Sequence, residues 1–351
     1  MILWDAKAAR ITFTVVIVAA ILYGVYLIRR TVFVFLLAIF FAYMVYPLVV
    51  LLDRFRPRRA PPWASPVAAL VLVLTLAVLI GILIGPSIGD EANRLSEQLP
   101  ALLQRGDAFA PERWPTFLQP YAARIVAFVR TELHGGAAAA LPLAQRIGTG
   151  VLQVAGDLLF VVLVPILAFL FILSGPRIRD ALESVFARQA IGQRIVDDLD
   201  HLLGRYIRAL LLLSVAAFAA YAAFLASIGV PYALLLAAVA ALLEFIPVFG
   251  PLLSALVILI VAGLAEYPHL LWILFFIIGY RIFQDYVLGP RLMGAGVGVH
   301  PILVLFGLLA GAEVAGVPGI FLSVPAIAAV LIIGRHVLRA RGKSKNGKAV
   351  L

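Results

Sequence analysis

The chain has 351 residues and a net charge of +10; 64% of its residues are hydrophobic, 13% are charged and none is cysteine. A soluble domain is about half apolar and about a quarter charged, so a soluble core cannot account for this composition. Without cysteine the chain offers no disulfide framework, no thiolate metal site and no cysteine nucleophile.

Four long, nearly uncharged runs in the first half of the chain predict transmembrane helices. They cover residues 11–28, 31–52, 64–88 and 151–173. Each run is long enough to cross a hydrocarbon layer of about 30 Å, which takes roughly 20 helical residues. No small-residue cleavage site separates the first run from the second, so we interpret the first run as a retained helix and not as a secretory signal. The sequence therefore predicts an all-α polytopic membrane protein whose residues 1–88 form an N-terminal three-helix membrane region.

The charges of the loops predict the orientation of these helices. Residues 53–59 and the tail from Arg335 are strongly basic. Because cytoplasmic loops carry an excess of Lys and Arg, we expect both segments and both termini in the cytoplasm. This placement explains the positive net charge without a nucleic-acid partner. The pair Arg29 and Arg30 then lies outside, where the two side chains can snorkel to the interface.

The polar segment 89–150 is predicted to lie outside the cytoplasm. Six Arg and six acidic residues balance each other between residues 89 and 146, so the segment can be translocated. Its leucines recur at helical spacing up to Gly106, which predicts amphipathic helices. Such helices lie on the membrane or pack on a neighbouring subunit. A lid over a substrate site is the alternative.

Residues 151–208 are predicted to form a membrane helix followed by a cytoplasmic helix. The second part, 174–208, carries six Arg and five acidic residues, and it includes the run Asp197-Asp198-Leu199-Asp200-His201. These residue types are those of metal ligands. Consecutive helical residues point about 100° apart, so the side chains cannot converge on one ion. We interpret the run as part of a solvated cytoplasmic helix.

Beyond a spanning segment at 209–228, two apolar arms are too short to cross a membrane. Residues 232–243 and 252–264 give about 18 to 20 Å of helix each. Between them stands EFIPVFGP, residues 244–251, in which proline breaks a helix, glycine permits a reversal and Pro251 suits the first position of a new helix. This pattern predicts either a helical hairpin that enters and leaves on one side or one broken helix.

The break at EFIPVFGP is a candidate site. In lipid, irregular backbone is tolerated only where protein covers it or where it lines a water-filled cavity. A carboxylate at membrane depth costs about 2.5 to 3.5 kcal/mol on insertion scales, and protonation lowers that cost. The candidate residues are Glu244, Pro247, Gly250 and Pro251. The alternative is a proline-kinked packing helix whose neutral glutamic acid is hydrogen-bonded to a neighbour.

A second unit with the same features follows. GVHPILVLFGLLAGAEVAGVPGIFLSVP, from Gly298, matches GVPYALLLAAVAALLEFIPVFGP, from Gly229, and Glu313 precedes a break at Pro318 and Gly319 as Glu244 precedes its own. Each unit follows a spanning segment, 209–228 or 268–288, which predicts an inverted repeat of the kind that builds transporters. We expect about eight membrane segments in all. Residues 209–338 would form a transport region with two broken-helix hairpins, and 339–351 a basic cytoplasmic tail.

Most of the chain resembles a known family in the order of its segments, and the specific motifs lie in the last third. QDYVLGPRLMG from Gln284, VGVHP from Val297, EFIPVFGP and FLLAIFFAYMVYPLV from Phe35 are similar to elements of the autoinducer-2 exporter family. The resemblance implies a bacterial inner-membrane protein that forms a homo-oligomer, with a pentamer as the expected assembly. Members of that family are connected with export of autoinducer-2, and some with sodium or lithium/proton antiport. The matching positions are Glu244, Pro247, Gly250, Pro251, Gln284, Pro290, His300 and Pro301.

Three functions remain open from the sequence. The first is a secondary transporter that exports a small polar molecule, with Glu244 or Glu313 exchanging a proton. The second is a monovalent cation/proton antiporter or a channel. The third, an intramembrane enzyme with His300 or Asp157 as base, needs a nucleophile–base pair that the sequence does not display. We therefore predict a transporter without cofactor or metal, whose partners are the bilayer and its solute. Its pathway residues are Glu244, Pro247, Gly250, Pro251, Gln284, Asp285, His300, Pro301, Glu313, Pro318 and Gly319.

Single introduced cysteines test the predicted orientation. The chain has no native cysteine, so each variant carries one thiol. We expect Gln119→Cys to react with a membrane-impermeant maleimide in intact cells, and Lys345→Cys to react only after the membrane is opened. Labelling of both positions in intact cells contradicts the orientation.

Overall fold

The computed structural model describes residues 12–14, 16, 17, 20, 23, 24, 26–57, 59–104, 158–186, 191–247, 249–293 and 300–346. Regular secondary structure in these residues is helical throughout. The α-helices are α1 (Arg29–Phe55), α2 (Ala64–Gln104), α3 (Leu158–Phe186), α4 (Ile191–Ser227), α5 (Ala233–Leu243), α6 (Phe249–Leu264), α7 (Leu270–Phe283), α8 (Gly289–Met293), α9 (Pro301–Ala315) and α10 (Val317–Asn346). A π-helical turn, Gln284–Leu288, joins α7 to α8.

Six helical stretches in the described part of the chain are long and apolar enough to cross a membrane. They are Thr31–Phe55, Ala64–Leu99, Val162–Ala181, Gly192–Ser227, Leu270–Leu292 and Gly319–His336. The apolar helices α5, α6 and α9 are shorter, with 11, 16 and 15 residues. The prediction of an all-α polytopic membrane protein is confirmed.

In the N-terminal region, α1 packs against α2 and α3. Val45 and Val49 of α1 are buried against Ala69 of α2. Val34 and Ala38, about two to four turns earlier in α1, form a second buried cluster with α3. The three helices therefore form a layer of their own, and α4 packs on it through the far side of α1.

The acidic run near the start of α4 connects that helix to three others. Each carboxylate has its own partner: Asp197 pairs with Arg179 of α3, Asp198 with His336 of α10, and Asp200 with Tyr43 of α1. Because successive residues point about 100° apart, neighbouring carboxylates reach different helices. The sequence predicts a solvated run. In the structure its three carboxylates instead bond to side chains of three neighbouring helices. α4 also continues without a break through residue 208, where the sequence analysis places a boundary.

Helices α5 and α6 form a hairpin and not one broken helix. Leu236 and Ala237 of α5 are buried with Ile258 and Ala262 of α6. At the base, the Tyr267 hydroxyl donates a hydrogen bond to the carbonyl oxygen of residue 228 at 2.8 Å, so the chain enters and leaves at the same end. At 1.5 Å per residue the arms are about 16 and 24 Å long, and neither reaches across a layer of about 30 Å.

The C-terminal end of α2 covers the base of this hairpin. The sequence predicts that α2 ends near residue 88, but the helix continues to Gln104. A Glu91 carboxylate oxygen accepts the backbone N–H of Leu235 at 2.8 Å, and the Tyr232 hydroxyl donates to Gln98 at 2.7 Å. An acidic side chain is favourable there, since the first N–H groups of α5 lack partners within the helix. Residues 91–98 therefore pack on the hairpin of their own chain, and 105–157 lie outside the described residues.

Helices α9 and α10 form a second, unequal hairpin. The turn is at Gly316, whose φ of +64° favours glycine. A Cβ on Gly311 would lie 2.6 Å from the carbonyl carbon of Gly319, so the two backbones touch. α10 has 30 residues and includes a stretch that can span a membrane, whereas both arms of the first hairpin are short.

The two hairpins meet through aromatic side chains. Phe245, at the tip of the first hairpin, has its ring 5.4 Å from that of Phe321 on α10. The Phe321 ring also lies 4.6 Å from that of Phe40 on α1. The tip of the first hairpin is therefore held between the second hairpin and the N-terminal layer.

Glycine substitutions test the contact between α9 and α10. Gly311→Ala places a Cβ against the backbone of Gly319, and overpacking of this kind costs about 1 to 3 kcal/mol. The matched control is Gly334→Ala in α10, where a Cβ meets nothing within 4 Å and helix propensity favours alanine by about 1 kcal/mol. We expect thermal unfolding in detergent to give a lower Tm for the first variant and an equal or higher Tm for the second. Equal Tm values for both variants contradict the close contact.

Candidate functional site

The tip of the first hairpin is a compact reversal of the backbone. Its turns are closed by hydrogen bonds from the Ile246 N–H to the Leu243 carbonyl at 2.8 Å and from the Gly250 N–H to the Ile246 carbonyl at 2.9 Å. α6 already begins at Phe249. Pro251 is therefore the third residue of the helix, whereas the sequence predicts that it is the first. It still lies in the first turn, where the missing N–H costs no hydrogen bond.

Gly250 is required at the tip by close packing. A Cβ at this position would lie 2.7 Å from the carbonyl carbon of Leu243 and would also contact its oxygen. The backbone of Gly250 does not have a positive φ. The sequence thus predicts the right residue for a different reason: the start of α6 passes directly over the last carbonyl of α5.

The carboxylate of Glu244 meets the amide of Gln284 beside this tip. Gln284 Nε2 donates a hydrogen bond to Glu244 Oε1, although the two residues are 40 positions apart. Gln284 is buried, with 4% of its surface exposed, and Glu244 is half-buried. The contact joins the end of α5 to the end of α7.

Gln284 occupies the first position of the π-helical turn. The N–H of Gly289 donates to the Gln284 carbonyl, five residues back, which is the hydrogen bond of a π-helix. Single π-turns within α-helices are frequent at functional sites. Here the turn inserts one extra residue between α7 and α8, directly where the helix passes the hairpin tip.

Polar groups from two further segments surround the pair. The Ser214 hydroxyl of α4 donates to the carbonyl of Ala241 at 2.7 Å. Arg281 and Asp285 form an ion pair one turn apart on the α7 side, with Nε and Oδ2 at 2.9 Å, and both interact electrostatically with Glu244. The site therefore offers a carboxylate, an amide and an ion pair, groups that can hold a proton, a cation or a polar solute.

The remaining predicted residues occupy distinct places. The exposed His300 caps α9, since its Nδ1 accepts the Ile302 N–H at 3.3 Å, and Pro301 is the first residue of that helix. Glu313 is exposed on α9. Pro318 and Gly319 begin α10, with Gly319 against Gly311. Of the first hairpin's predicted residues, Glu244 thus meets Gln284, while those of the second unit lie at the ends and along the contact of α9 and α10. Asp157 lies outside the described residues.

Sequence reasoning missed four residues of the site. They are Ser214, Tyr221, Tyr280 and Arg281, which lie on α4 and α7. Each is a polar or charged residue within a long apolar run, and this is the signal that could have found them. Their spacing does not reveal which of them face the hairpin, because the spans are apolar on all sides.

Comparison with known proteins gives the family. The family model described as AI-2E family transporter matches residues 15–339. The chain belongs to the AI-2E transporter family. The predicted resemblance is confirmed, and with it a multi-pass membrane protein of a transporter family.

Three relatives of this AI-2E family chain carry names that describe transport. YrrI of Bacillus subtilis strain 168, named a putative transport protein, is 32% identical over 154 residues, 43% of this chain and 42% of YrrI. MT0215 of Mycobacterium tuberculosis is 35% identical over 124 residues, 35% of this chain and 34% of MT0215. YueF of B. subtilis is 26% identical over 185 residues, 52% of this chain and 50% of YueF. The matches thus span between a third and a half of each relative.

Alanine substitutions at the tip test whether the reversal is needed for transport. Replacing Pro247, Gly250 and Pro251 together favours a longer helix, since alanine is preferred over glycine by about 1 kcal/mol and over proline by about 3 kcal/mol. We expect the triple variant to insert in the membrane and to lose transport. Gly250→Ala alone should impair transport through its clash with Leu243, whereas Gly279→Ala, which points into open space, should not. Wild-type transport by the triple variant would identify the break as a packing kink.

Proposed function

We propose that this AI-2E family protein is a secondary transporter whose solute passes the tip of the first hairpin, with Glu244 taking up and releasing a proton. The observation that carries the proposal is the hydrogen bond between Gln284 and Glu244 beside the backbone reversal. Broken helices that meet a polar group inside the membrane are the usual construction of transporter sites. An ionisable residue within a membrane region is rare because of its cost, and it commonly marks a solute or proton path.

The pairing of Glu244 with an amide suits a residue that changes its charge. An amide N–H can donate to a carboxylate and equally to the carbonyl oxygen of a protonated acid. Gln284 can therefore hold Glu244 in one position in both protonation states. A lysine or arginine in the place of Gln284 would instead favour the ionised form.

Relative movement of the two hairpins would change the side to which the site opens. The tip of the first hairpin touches α10 through Phe245 and Phe321. This contact contains no hydrogen bond or ion pair that would have to break, so it can separate and re-form readily. Rocking of one unit against the other around a fixed site is the common mechanism of alternating access.

We further propose that the protein lies in a bacterial inner membrane, forms a homo-oligomer and exports a small polar molecule, such as autoinducer-2 or an organic solute.

Monovalent cation/proton antiport is the second candidate. Gln284 contacts Oε1 of Glu244, so that within the described part of the chain the other carboxylate oxygen is open to a ligand. Small hard cations prefer oxygen ligands of this kind. A cation and a proton would then compete for the same carboxylate, which is the simplest form of antiport.

A transport panel in liposomes separates these functions. The purified protein is reconstituted, and the fluxes of autoinducer-2, lactate, Na⁺ and Li⁺ are each measured with and without a pH gradient. Transport of a solute that the gradient accelerates supports the first proposal. Exchange of Na⁺ or Li⁺ for protons without solute transport supports antiport. If the flux of no probe saturates and none responds to the pH gradient, both the solute transporter and the antiporter are contradicted.

Glu244→Gln tests the coupling of protons to transport. The glutamine side chain resembles the neutral acid in size and hydrogen bonding, so we expect normal folding and assembly. It cannot release a proton, and transport should therefore lose its response to a pH gradient. The measurement is the initial flux in liposomes at several gradients, with assembly followed by size-exclusion chromatography.

Glu313→Gln is the companion variant. It makes the same chemical change in the second unit, and we expect a smaller loss of the pH response because Glu313 is exposed.

Two outcomes would contradict the coupling role of Glu244. If Glu244→Gln keeps the wild-type pH dependence, coupling lies elsewhere and Glu244 is structural. If it fails to assemble, the carboxylate serves a helix contact.

A further inference from the structure

Two buried tyrosine hydroxyls lack a hydrogen-bond partner within the described residues. They belong to Tyr206 on α4 and Tyr280 on α7, whose exposed fractions are 6% and 9%. Roughly nine in ten or more buried polar groups in proteins are paired. A buried hydroxyl without a partner lowers stability, so each of these two residues calls for an explanation.

The surroundings of the two hydroxyls differ. Tyr206 lies in an apolar cluster with Phe40, Leu210 and Val324, against which Phe245 and Phe321 also pack. Tyr280 lies one helical turn before Gln284, and residues at this spacing share a face of the helix. Gln284 in turn contacts Glu244, whereas the Tyr280 hydroxyl has no hydrogen-bond partner among the described residues.

Aromatic rings fix the orientation of Tyr280. The centroid of its ring lies 5.3 Å from that of Tyr221 on α4 and 5.9 Å from that of Phe276 on α7. Edge and offset contacts of this kind stabilise the ring positions. The phenol therefore cannot easily turn away to find a partner among the neighbouring backbone groups.

We propose that the Tyr280 hydroxyl faces the solute path and binds the transported solute beside Glu244 and Gln284. The inference rests on the proposed function, since it assigns a further contact to the same site. A phenol can donate and accept a hydrogen bond, and with Gln284 it would supply two polar contacts from one face of α7. The hydrogen-bond partner of the Tyr280 hydroxyl is then the solute, or a water molecule when no solute is bound. The unpaired hydroxyl lowers the stability of the protein, and selection for transport keeps it.

Phenylalanine variants separate a binding role from a packing fault. Tyr280→Phe and Tyr206→Phe each remove only a hydroxyl without a partner, so both should keep or raise the Tm of the protein. With autoinducer-2 as the probe in liposomes, we expect Tyr280→Phe to raise KM about threefold to tenfold, the effect of one lost hydrogen bond. Tyr206→Phe should leave KM unchanged. An unchanged KM for Tyr280→Phe overturns the inference, as does an equal rise for both variants.

Introduced cysteines test the placement of Tyr280 without any solute. Because the chain lacks cysteine, Tyr280→Cys and Tyr206→Cys each carry one thiol after the same loss of side-chain volume. A small charged methanethiosulfonate reagent reacts with thiols that water reaches. We expect it to modify the cysteine at position 280 in liposomes and not the one at 206. No modification at 280 under either direction of a pH gradient overturns the proposal.

The outcomes keep this inference apart from the proposed function. If Glu244→Gln retains its pH response while the cysteine at position 280 is modified and Tyr280→Phe raises KM, the solute path stands and proton coupling at Glu244 fails. If Glu244→Gln loses its pH response while Tyr280→Phe behaves as wild type and the cysteine is not modified, the coupling stands and the role of Tyr280 fails.

Discussion

The rest of the structure depends on one constraint: the backbone reversal between α5 and α6 must be enclosed by other helices. Neither arm of the first hairpin crosses a bilayer, so its reversal and the Glu244 carboxylate end among other helices. In lipid, such groups are tolerated only where protein or enclosed water surrounds them. α2 closes the base of the hairpin, α4 lies along its side, and α7 brings Gln284 to its tip. These contacts place a polar site between helices that are otherwise apolar.

α4 links this site to the rest of the molecule. It is 37 residues long, or about 56 Å at 1.5 Å per residue. Near its start, three carboxylates reach α1, α3 and α10, and further along Ser214 binds the end of α5. A movement of α10 that separates Phe321 from Phe245 would therefore also act on α4 through His336 and Asp198. The polar contacts near the start of α4 and the contact with the site further along lie on the same unbroken helix.

The sequence predicts those features that depend on local chemistry. The prolines at residues 244–251 predict the reversal, because proline acts on the backbone where it stands, whereas Gly250 is needed for its packing against Leu243. The partner of Glu244 could not be derived in this way, since Gln284 is 40 residues away and was selected through family resemblance alone. Tyr280 was missed because a tyrosine in an apolar run looks the same whether its hydroxyl faces lipid, protein or a solute. The three partners of the acidic run likewise depend on how distant helices pack, which periodicity does not contain.

The central claim is that Glu244 and Gln284 act as a pair, and exchange of the two side chains tests it most directly. The double variant Glu244→Gln with Gln284→Glu keeps one carboxylate and one amide in contact but reverses the positions. Flux driven by a pH gradient is measured in liposomes for this variant and for each single variant. We expect the exchange to recover a substantial part of the proton-coupled flux that Glu244→Gln loses. A double variant no more active than Glu244→Gln alone would contradict it.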